Sequence, residues 1–545
     1  MAVGASYPRS IRENRAKSGS VTASDFLRLF SAQPEHVNFL RHSCNVGSKT
    51  ITYVHYKLLR YRRSQTLYQI PIMRKLKTVI ALSISALLCF CVGSIGIGDA
   101  RSIKLAASAT PNLDHPPLPI PASSLSNKVV AFVGVNLISM EKEGVERDQT
   151  VVVRDGRISE AGPATKIKLP RGALHIDGRG KFLMPGLIDM HVHEFSDDRQ
   201  MLLFVANGVT TVRNMAGKPR HLELKRLIQT RDVLAPSFYT CGPLLLGFKD
   251  PKVAVQQVDR TCDAGYDCVK IYNTLDWSLE AYDAAIDEAV RRGVPPVGHL
   301  PEKLPIESTV RRGRQTIEHT EQFLYAYFFK QHPLDPSTIS YAVKLVKDAG
   351  IAIDPTLLVY HTIALIAADD TFRELKERPE LQLISPDVRS RWINDHQYRD
   401  RFSAKDVPAL DRNLDLLRRL TKAFADAGVP LLLGTDTAED QPFIFPGFSL
   451  HEELAELVKA GLTPCQALRA GTVNAAAVLG GASEFGSIRP GMRADMILLD
   501  GNPLEDIANT KRRTGVMLRG HWLPEALLKA QEADLRASYS GSSKN

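Results

Sequence analysis

Two histidines one residue apart, His191 and His193, are the first side chains in this 545-residue chain whose types and spacing suggest chemistry. Residues i and i+2 of a β-strand point to the same side, so both imidazoles can reach one point. Lys270 follows within a β-branched run, and His299, His319 and Asp436 each lie just past the end of another. Imidazole and carboxylate suit zinc and similar divalent ions, and catalytic sites of that kind keep one position open for water. Metal binding lowers the pKa of that water and polarises a carbonyl. Asp436, ligating or hydrogen-bonding the water, could take its proton and pass it to a leaving amine. A lysine ammonium has no lone pair and is not ordinarily a ligand. Burial beside cations depresses its pKa, and the free amine of Lys270 could then take up carbon dioxide as a carbamate bridging two metals.

Each residue also has a plainer reading. A single His-x-His is a weak signal, His299 and His319 could be satisfied core histidines, Asp436 could cap a helix, and Lys270 could be an ion-pair partner. What weighs against coincidence is their joint placement, which depends on the elements that carry them. Short β-branched runs occur at Leu183–His191, Val209–Val212, Phe238–Cys241, Cys268–Tyr272, Val294–Val297, Gln315–Ile317, Ile351–Asp354 and Pro430–Leu433. Helical patterns such as Leu222–Gln229, Leu279–Arg292 and Leu410–Ala427 lie between them. Eight strands alternating with helices imply an α/β fold, a (β/α)8 TIM-like barrel, whose catalytic groups sit at the C-terminal strand ends. An open doubly wound sheet is the alternative, but no G-x-G-x-x-G follows the first strand.

Val-rich runs at Val129–Met140 and Thr150–Val153, with the turn dipeptide Asp155-Gly156, precede the barrel; Ala494–Leu499 and Gly515–Arg519 follow it. They predict a small β-sandwich made from both ends of the chain. The expected boundaries are a basic, disordered extension over 1–72, a signal peptide over 73–100 and a linker over 101–126. The sandwich halves are placed at 127–184 and 485–525, the barrel at 185–484, and a C-terminal tail at 526–545.

The net charge of +9 is local: residues 1–77 hold 14 Lys/Arg against 3 acids, which is 14 − 3 = +11 and leaves 9 − 11 = −2 for the remainder. A near-neutral body argues against a nucleic-acid surface. The basic cluster instead heads a targeting signal, Met73-Arg74-Lys75-Leu76-Lys77, followed by the apolar run Val79 to Val92 and the small-residue site Gly98-Asp99-Ala100. Export to the periplasm or medium is expected, with translation starting at Met73. An uncleaved membrane anchor is the alternative, although the run is short of the ~20 residues a span needs. Cys241, Cys262, Cys268 and Cys465 show no metal-ligand spacing; Cys262 and Cys268 could bridge, but free buried thiols are the preferred expectation.

Met184-Pro185-Gly186-Leu187-Ile188-Asp189-Met190-His191-Val192-His193 resembles the signature of the amidohydrolase superfamily. The resemblance continues through Ala206–Asn214, Gly434-Thr435-Asp436, Thr472–Ala476 and Gly491–Asp495, and runs from about Val129 to Leu523. Within the superfamily the chain is most similar to imidazolonepropionase-like amidohydrolases, a group with Xaa-Pro dipeptidases and ochratoxinase-type amidases. The resemblance implies His191, His193 and Asp436 on one metal, His299 and His319 on a second, and carboxylated Lys270 as the bridge. It also implies two divalent ions, expected to be zinc. Lys270 points to the binuclear branch, because the true imidazolonepropionases use one metal and lack this lysine. Tyr272 would face the site and could stabilise the oxyanion, or simply pack the barrel.

The expected activity is hydrolysis of a carbon–nitrogen bond in a small-molecule amide: a dipeptide, an N-acyl amino acid or a cyclic amide, through metal-activated hydroxide. Lactone or phosphoester hydrolysis on the same site, or an inactive binding homologue, are the alternatives; all six ligands are present, which disfavours the last. A homo-oligomer is compatible with the sequence. A long insertion, Thr356 to Ala409, is a candidate lid, in which Tyr360, His361, Arg389, Arg391 or Trp392 could contact substrate. A solvated surface helix is the plainer alternative. Phe323, Tyr325, Tyr327, Phe328 and Phe329 could wall a pocket or pack the insertion down.

Overall fold

The computed structural model describes residues 40–46, 49–55, 115–125, 128–193, 195–272, 277–311, 313–328, 336–394 and 398–541. Two units divide between Ser108 and Ala109. In the first, β1 (Leu40–Val46) and β2 (Lys49–His55) form an antiparallel hairpin inside the basic stretch. The signal segment 73–100 lies outside the described residues. No helix among the described residues is long and apolar enough to cross a membrane.

The second unit opens with β3 (Val129–Leu137), β4 (Glu146–Arg154), β5 (Arg157–Pro163), β6 (Leu174–Asp177) and β7 (Phe182–Pro185). Between β4 and β5 the backbone reverses through Asp155 (φ 47°) and Gly156 (φ 78°), the paired left-handed conformation that a two-residue hairpin requires.

The parallel strands follow: β8 (Leu187–Val192), β9 (Val209–Asn214), β10 (Ser237–Thr240), β11 (Val269–Ile271), β12 (Pro296–Gly298), β13 (Thr316–Glu318) and β14 (Ala352–Asp354). β8–β9–β10, β11–β12 and β13–β14 pair in parallel. Single bridges between Cys241 and Cys268 and between Leu245 and Ile271 link β10 to β11. The Gln315 amide donates to Pro296 O at 2.9 Å, linking β12 to β13. Residues 430–437 are extended without being a regular strand, yet bridge β14 at Leu431 and β8 at Thr437. Helices such as Pro219–Thr230, Pro251–Asp263, Leu279–Arg291 and Val407–Asp426 connect these strands.

Three closing strands, β15 (Met496–Leu499), β16 (Arg513–Leu518) and β17 (His521–Pro524), return to the first set. They complete one eight-stranded mixed sheet in the order β17-β16-β15-β7-β3-β4-β5, with β6 also on β3. β7 joins the two ends of the chain, pairing antiparallel with β15 from Phe182–Leu499 to Pro185–Met496. Phe132 and Trp522 meet edge-to-face at 5.2 Å in its core.

Two expectations change. The single run Leu183–His191 divides at Gly186 into β7, which belongs to the mixed sheet, and β8, which pairs with β9. Any side chain at the junction would collide with Thr210, whose Oγ1 lies 2.2 Å from the place of a Cβ on Gly186. The cysteines also differ: Cys241 and Cys268 form a disulfide, while Cys262 and Cys465 are free. Cys241 follows β10 and Cys268 precedes β11, so lateral strand pairing unites sulfurs 27 residues apart in sequence.

The insertion folds into helices Leu357–Ala367, Asp369–Lys376 and Pro386–Asn394, which bury Trp392 against Phe443 and Phe445. The stretch read as a C-terminal tail carries a helix, Glu525–Gly541, anchored by the Tyr539 hydroxyl donating to Asp197 Oδ2 at 2.7 Å.

Candidate metal centre

His191 lies on β8 and His193 one residue past it. Asp436 ends the extended segment whose amides bond back to β8: Asp436 N donates to His191 O, and His193 N to Thr437 O, each at 2.8 Å. His191 Nε2 and His193 Nε2 are 3.2 Å apart, and Asp436 Oδ1 is 3.1 and 2.9 Å from them. These three offer ligand atoms within 4.8 Å of one another, a set able to hold a metal ion.

His299 follows β12 and His319 follows β13, with ring centroids 4.8 Å apart; the His319 ring is 4.6 Å from that of His191. Lys270, on β11, is buried, and its Nζ has no hydrogen-bond partner among the described residues. Gly298 (φ 117°) leaves the space it needs, since a Cβ there would stand 2.9 Å from Lys270 Cδ. Tyr272 faces the same cavity, with its ring 4.7 Å from that of His299.

Burial drives the His191 and His299 imidazoles far below the usual histidine range, and the Lys270 charge acts in the same direction. Burial takes His319 down to about 4 against the opposing pull of Asp436. Neutral imidazoles keep a lone pair free for a cation. Burial likewise lowers Lys270 to about 8, opposed by Glu318 and Asp436. For Asp436, burial works upward, but His319, His193 and Lys270 outweigh it and hold the carboxyl below its ordinary range. The Nε2 atoms of His191 and His193 and the Asp436 carboxylate oxygen crowd together within 3.2 Å, where lone pairs aimed at one another repel. A divalent cation would turn that repulsion into coordination, so the donor set fits one.

Several supporting residues had no signal in the sequence reading. Asp354, at the end of β14, is fully buried; neither oxygen is hydrogen-bonded among the described residues, and Oδ2 stands 3.9 Å from His191 Nδ1. Gly434 makes room for it, because a Cβ there would lie 2.3 Å from Asp354 Oδ2. Asp189 accepts from the amides of His191 and Thr435, at 3.1 Å each, and from Thr435 Oγ1 at 2.7 Å. Arg213 and Glu318 form a buried ion pair at 2.7 Å, and Arg213 Nε donates to Met190 O at 2.8 Å. An acid ending a buried strand was the only available clue to Asp354. His319 (φ 65°) and Asp436 (φ 56°) are left-handed non-glycine residues, a strained conformation that concentrates at functional sites.

A cavity of about 450 Å3 opens over the cluster. Tyr325, Tyr360, Tyr398, Phe402 and Arg401 line it. Tyr398 donates to Gln441 Oε1 at 2.6 Å, which directs Gln441 Nε2 toward Asp436 Oδ2 at 3.1 Å. Burial, then Asp436 and Glu302, raise the cavity-lining Glu321 to about 7. Burial also raises the Tyr272 phenol, aided by Asp436, Asp440 and Glu321 and opposed by Arg401.

The insertion residues named from sequence are used differently. Arg391 pairs with Glu439 at 3.1 Å, Arg389 donates to Gln382, and His361 Nδ1 lies 3.1 Å from Glu456 Oε1. Of the aromatic run, Tyr325 reaches the cavity, while Phe323 packs on Phe424 and Tyr327 on Tyr341. The Phe328 side chain and Phe329 lie outside the described residues. A larger cavity, about 560 Å3, is lined by Lys225, Arg493 and Arg519, but their charges are already engaged by Asp267, Asp495 and backbone carbonyls.

Residues 182–523 match the amidohydrolase family. The chain belongs to that family and is a hydrolase acting on carbon–nitrogen bonds. The ochratoxinase of Aspergillus niger is 24% identical over 477 residues, covering 73% of this chain and 87% of that protein. Bottromycin amidohydrolase shares the fold with a TM-score of 0.61 at 24% identity, over 76% of this chain and 91% of its own. A Xaa-Pro dipeptidase solved with methionine in its active site does so with a TM-score of 0.55 at 19% identity, over 73% and 100%.

Proposed function

We propose that this protein is an exported, metal-dependent amidohydrolase acting on a small amide. The scaffold in this reading is a (β/α)8 barrel closed by residues 430–437, with the mixed sheet folded as a small β-sandwich. The observation that carries the reading is the convergence of His191, His193 and Asp436 within coordination distance, with buried Lys270, His299 and His319 beside them. His191, His193 and Asp436 would hold one divalent ion, expected to be zinc; His299 and His319 would hold a second, with a carbamate on Lys270 between them. When bound, such ions supply Lewis-acid polarisation and acidify water.

The chain's own groups do the rest. Asp436 Oδ2, steadied by Gln441, takes a proton from the attacking water and delivers it to the leaving nitrogen. The Tyr272 hydroxyl donates to the carbonyl oxygen as negative charge grows there. The aromatic walls at Tyr325, Tyr360 and Phe402 exclude bulk water, and the tyrosine hydroxyls offer polar contacts to orient the amide.

The test combines metal analysis with an amide panel of dipeptides, N-acyl amino acids and cyclic amides, scored by release of free amine, alongside lactones and phosphotriesters. Two equivalents of divalent metal and amine release are expected, with turnover abolished in Lys270→Ala and Asp436→Ala. Turnover retained in either variant overturns the mechanism.

A further inference from the structure

Among the ionisable side chains that line the cavity above the histidines, the acid Glu321 and the base Arg401 are not used by the proposed hydrolytic chemistry. Glu321 stands two residues beyond His319, and Arg401 enters from the insertion. Neither side chain makes a hydrogen bond or ion pair with another described residue, and the two do not pair with each other. The other arginines of the insertion behave differently. Arg373 binds Asp370, Arg378 binds Glu380 and Glu452, Arg391 binds Glu439, and Arg399 binds Asp369. Those arginines hold the insertion together; Arg401 does not.

An acid and a base left apart in one cavity are complementary to a ligand with both charges. Tyr272 lies close enough to feel both. The cavity wall also has an apolar part, formed by Val359, Ile363, Leu410 and Leu417. Guanidinium donors match a carboxylate in a planar, two-pronged geometry, and a carboxylate is the natural partner of an ammonium. An extended dipeptide spans about 7 Å, so both ends fit a cavity of about 450 Å3.

We propose that Arg401 receives the free carboxylate and Glu321 the free ammonium of one substrate molecule, making an unblocked dipeptide with apolar side chains the preferred amide. This rests on the hydrolase reading above. The reaction adds one water across the peptide bond: oxygen goes to the acyl carbon as a new carboxyl group, and a proton goes to the departing nitrogen, with no redox partner.

The test compares alanyl-phenylalanine with its N-acetyl and C-amide derivatives on the metal-loaded full chain. Each cap should lower kcat/KM about 10- to 100-fold, the scale of one charged hydrogen-bonding contact. In Arg401→Met the penalty for amidation should collapse toward unity while that for acetylation persists; Glu321→Gln should show the reverse. Thermal unfolding of both variants checks the fold. Equal rates on free and capped peptides, or penalties unchanged in the variants, overturn the proposal. If N-acyl or cyclic amides are hydrolysed and no form of the dipeptide is, the proposal falls while the hydrolase reading stands. If no amide is hydrolysed, the hydrolase reading falls, and calorimetric binding of the free against the capped dipeptides decides this proposal: preference for the free form supports it, and equal affinity overturns it.

Discussion

Replacing Glu318 by Gln should destabilise the second unit far more than its near-identical shape suggests. Glu318 Oε1 is 2.7 Å from Arg213 Nη2, and both side chains are at most 2% exposed. The glutamine keeps the volume but removes the charge that compensates a guanidinium sealed in the core. Breaking a buried pair from one side costs about 3–5 kcal/mol, because the remaining ion stays desolvated. Arg213 also holds Met190 O on β8, so its displacement would disturb the strand that carries His191. Unfolding in guanidinium chloride, followed by tryptophan fluorescence, measures the loss. The double variant Arg213→Met/Glu318→Leu should recover a large part of it, since an apolar pair leaves no buried charge. A loss below about 1 kcal/mol for Glu318→Gln, or a double variant no better than the single, would refute the argument from desolvation.

Other consequences are as direct. Burial works to raise Glu456, but His361 and Arg418 outweigh it and hold it down to about 2. A depressed carboxyl adds stability above its unfolded pKa, and that contribution is lost as pH falls from about 4.5 toward about 2. Wild type should therefore lose its advantage over Glu456→Gln, about 2–3 kcal/mol at neutral pH, across that window; a pH-independent difference would count against it. Peptide mapping without reductant should recover Cys241 joined to Cys268, with Cys262 and Cys465 alkylated only as free thiols. The double serine variant at the bridge should lose about 3 kcal/mol of stability, as expected for a loop of this length. Gly434→Ala should move Asp354 away from His191 by steric contact and lower bound metal below the wild-type ratio; unchanged metal content would show that Asp354 does not support the imidazole.

Much of the fold was legible because it rests on local pattern. Short β-branched runs at regular spacing mark β9 to β14 to within a few residues, and Asp155-Gly156 marks the hairpin. The division at Gly186 was hidden, because β7 and β8 are each apolar and nothing in the run shows where one sheet yields to the other. The candidate ligands were picked out by type and by strand end, a one-dimensional rule that works when a fold sends every strand end to one face.

By itself, then, the sequence determined that His191, His193, Lys270, His299, His319 and Asp436 lie at strand ends, and that their chemistry suits a cation. Only the tertiary structure decided that Cys241 pairs with Cys268 and that Asp354 stands behind His191. It also showed that, of the insertion's basic residues, Arg401 reaches the cavity while His361, Arg389 and Arg391 are engaged elsewhere. The physical reason is common to all of these. Periodicity and turn chemistry act over a few residues, whereas lateral strand neighbours, buried charge partners and cavity walls are set by packing between segments far apart in the chain.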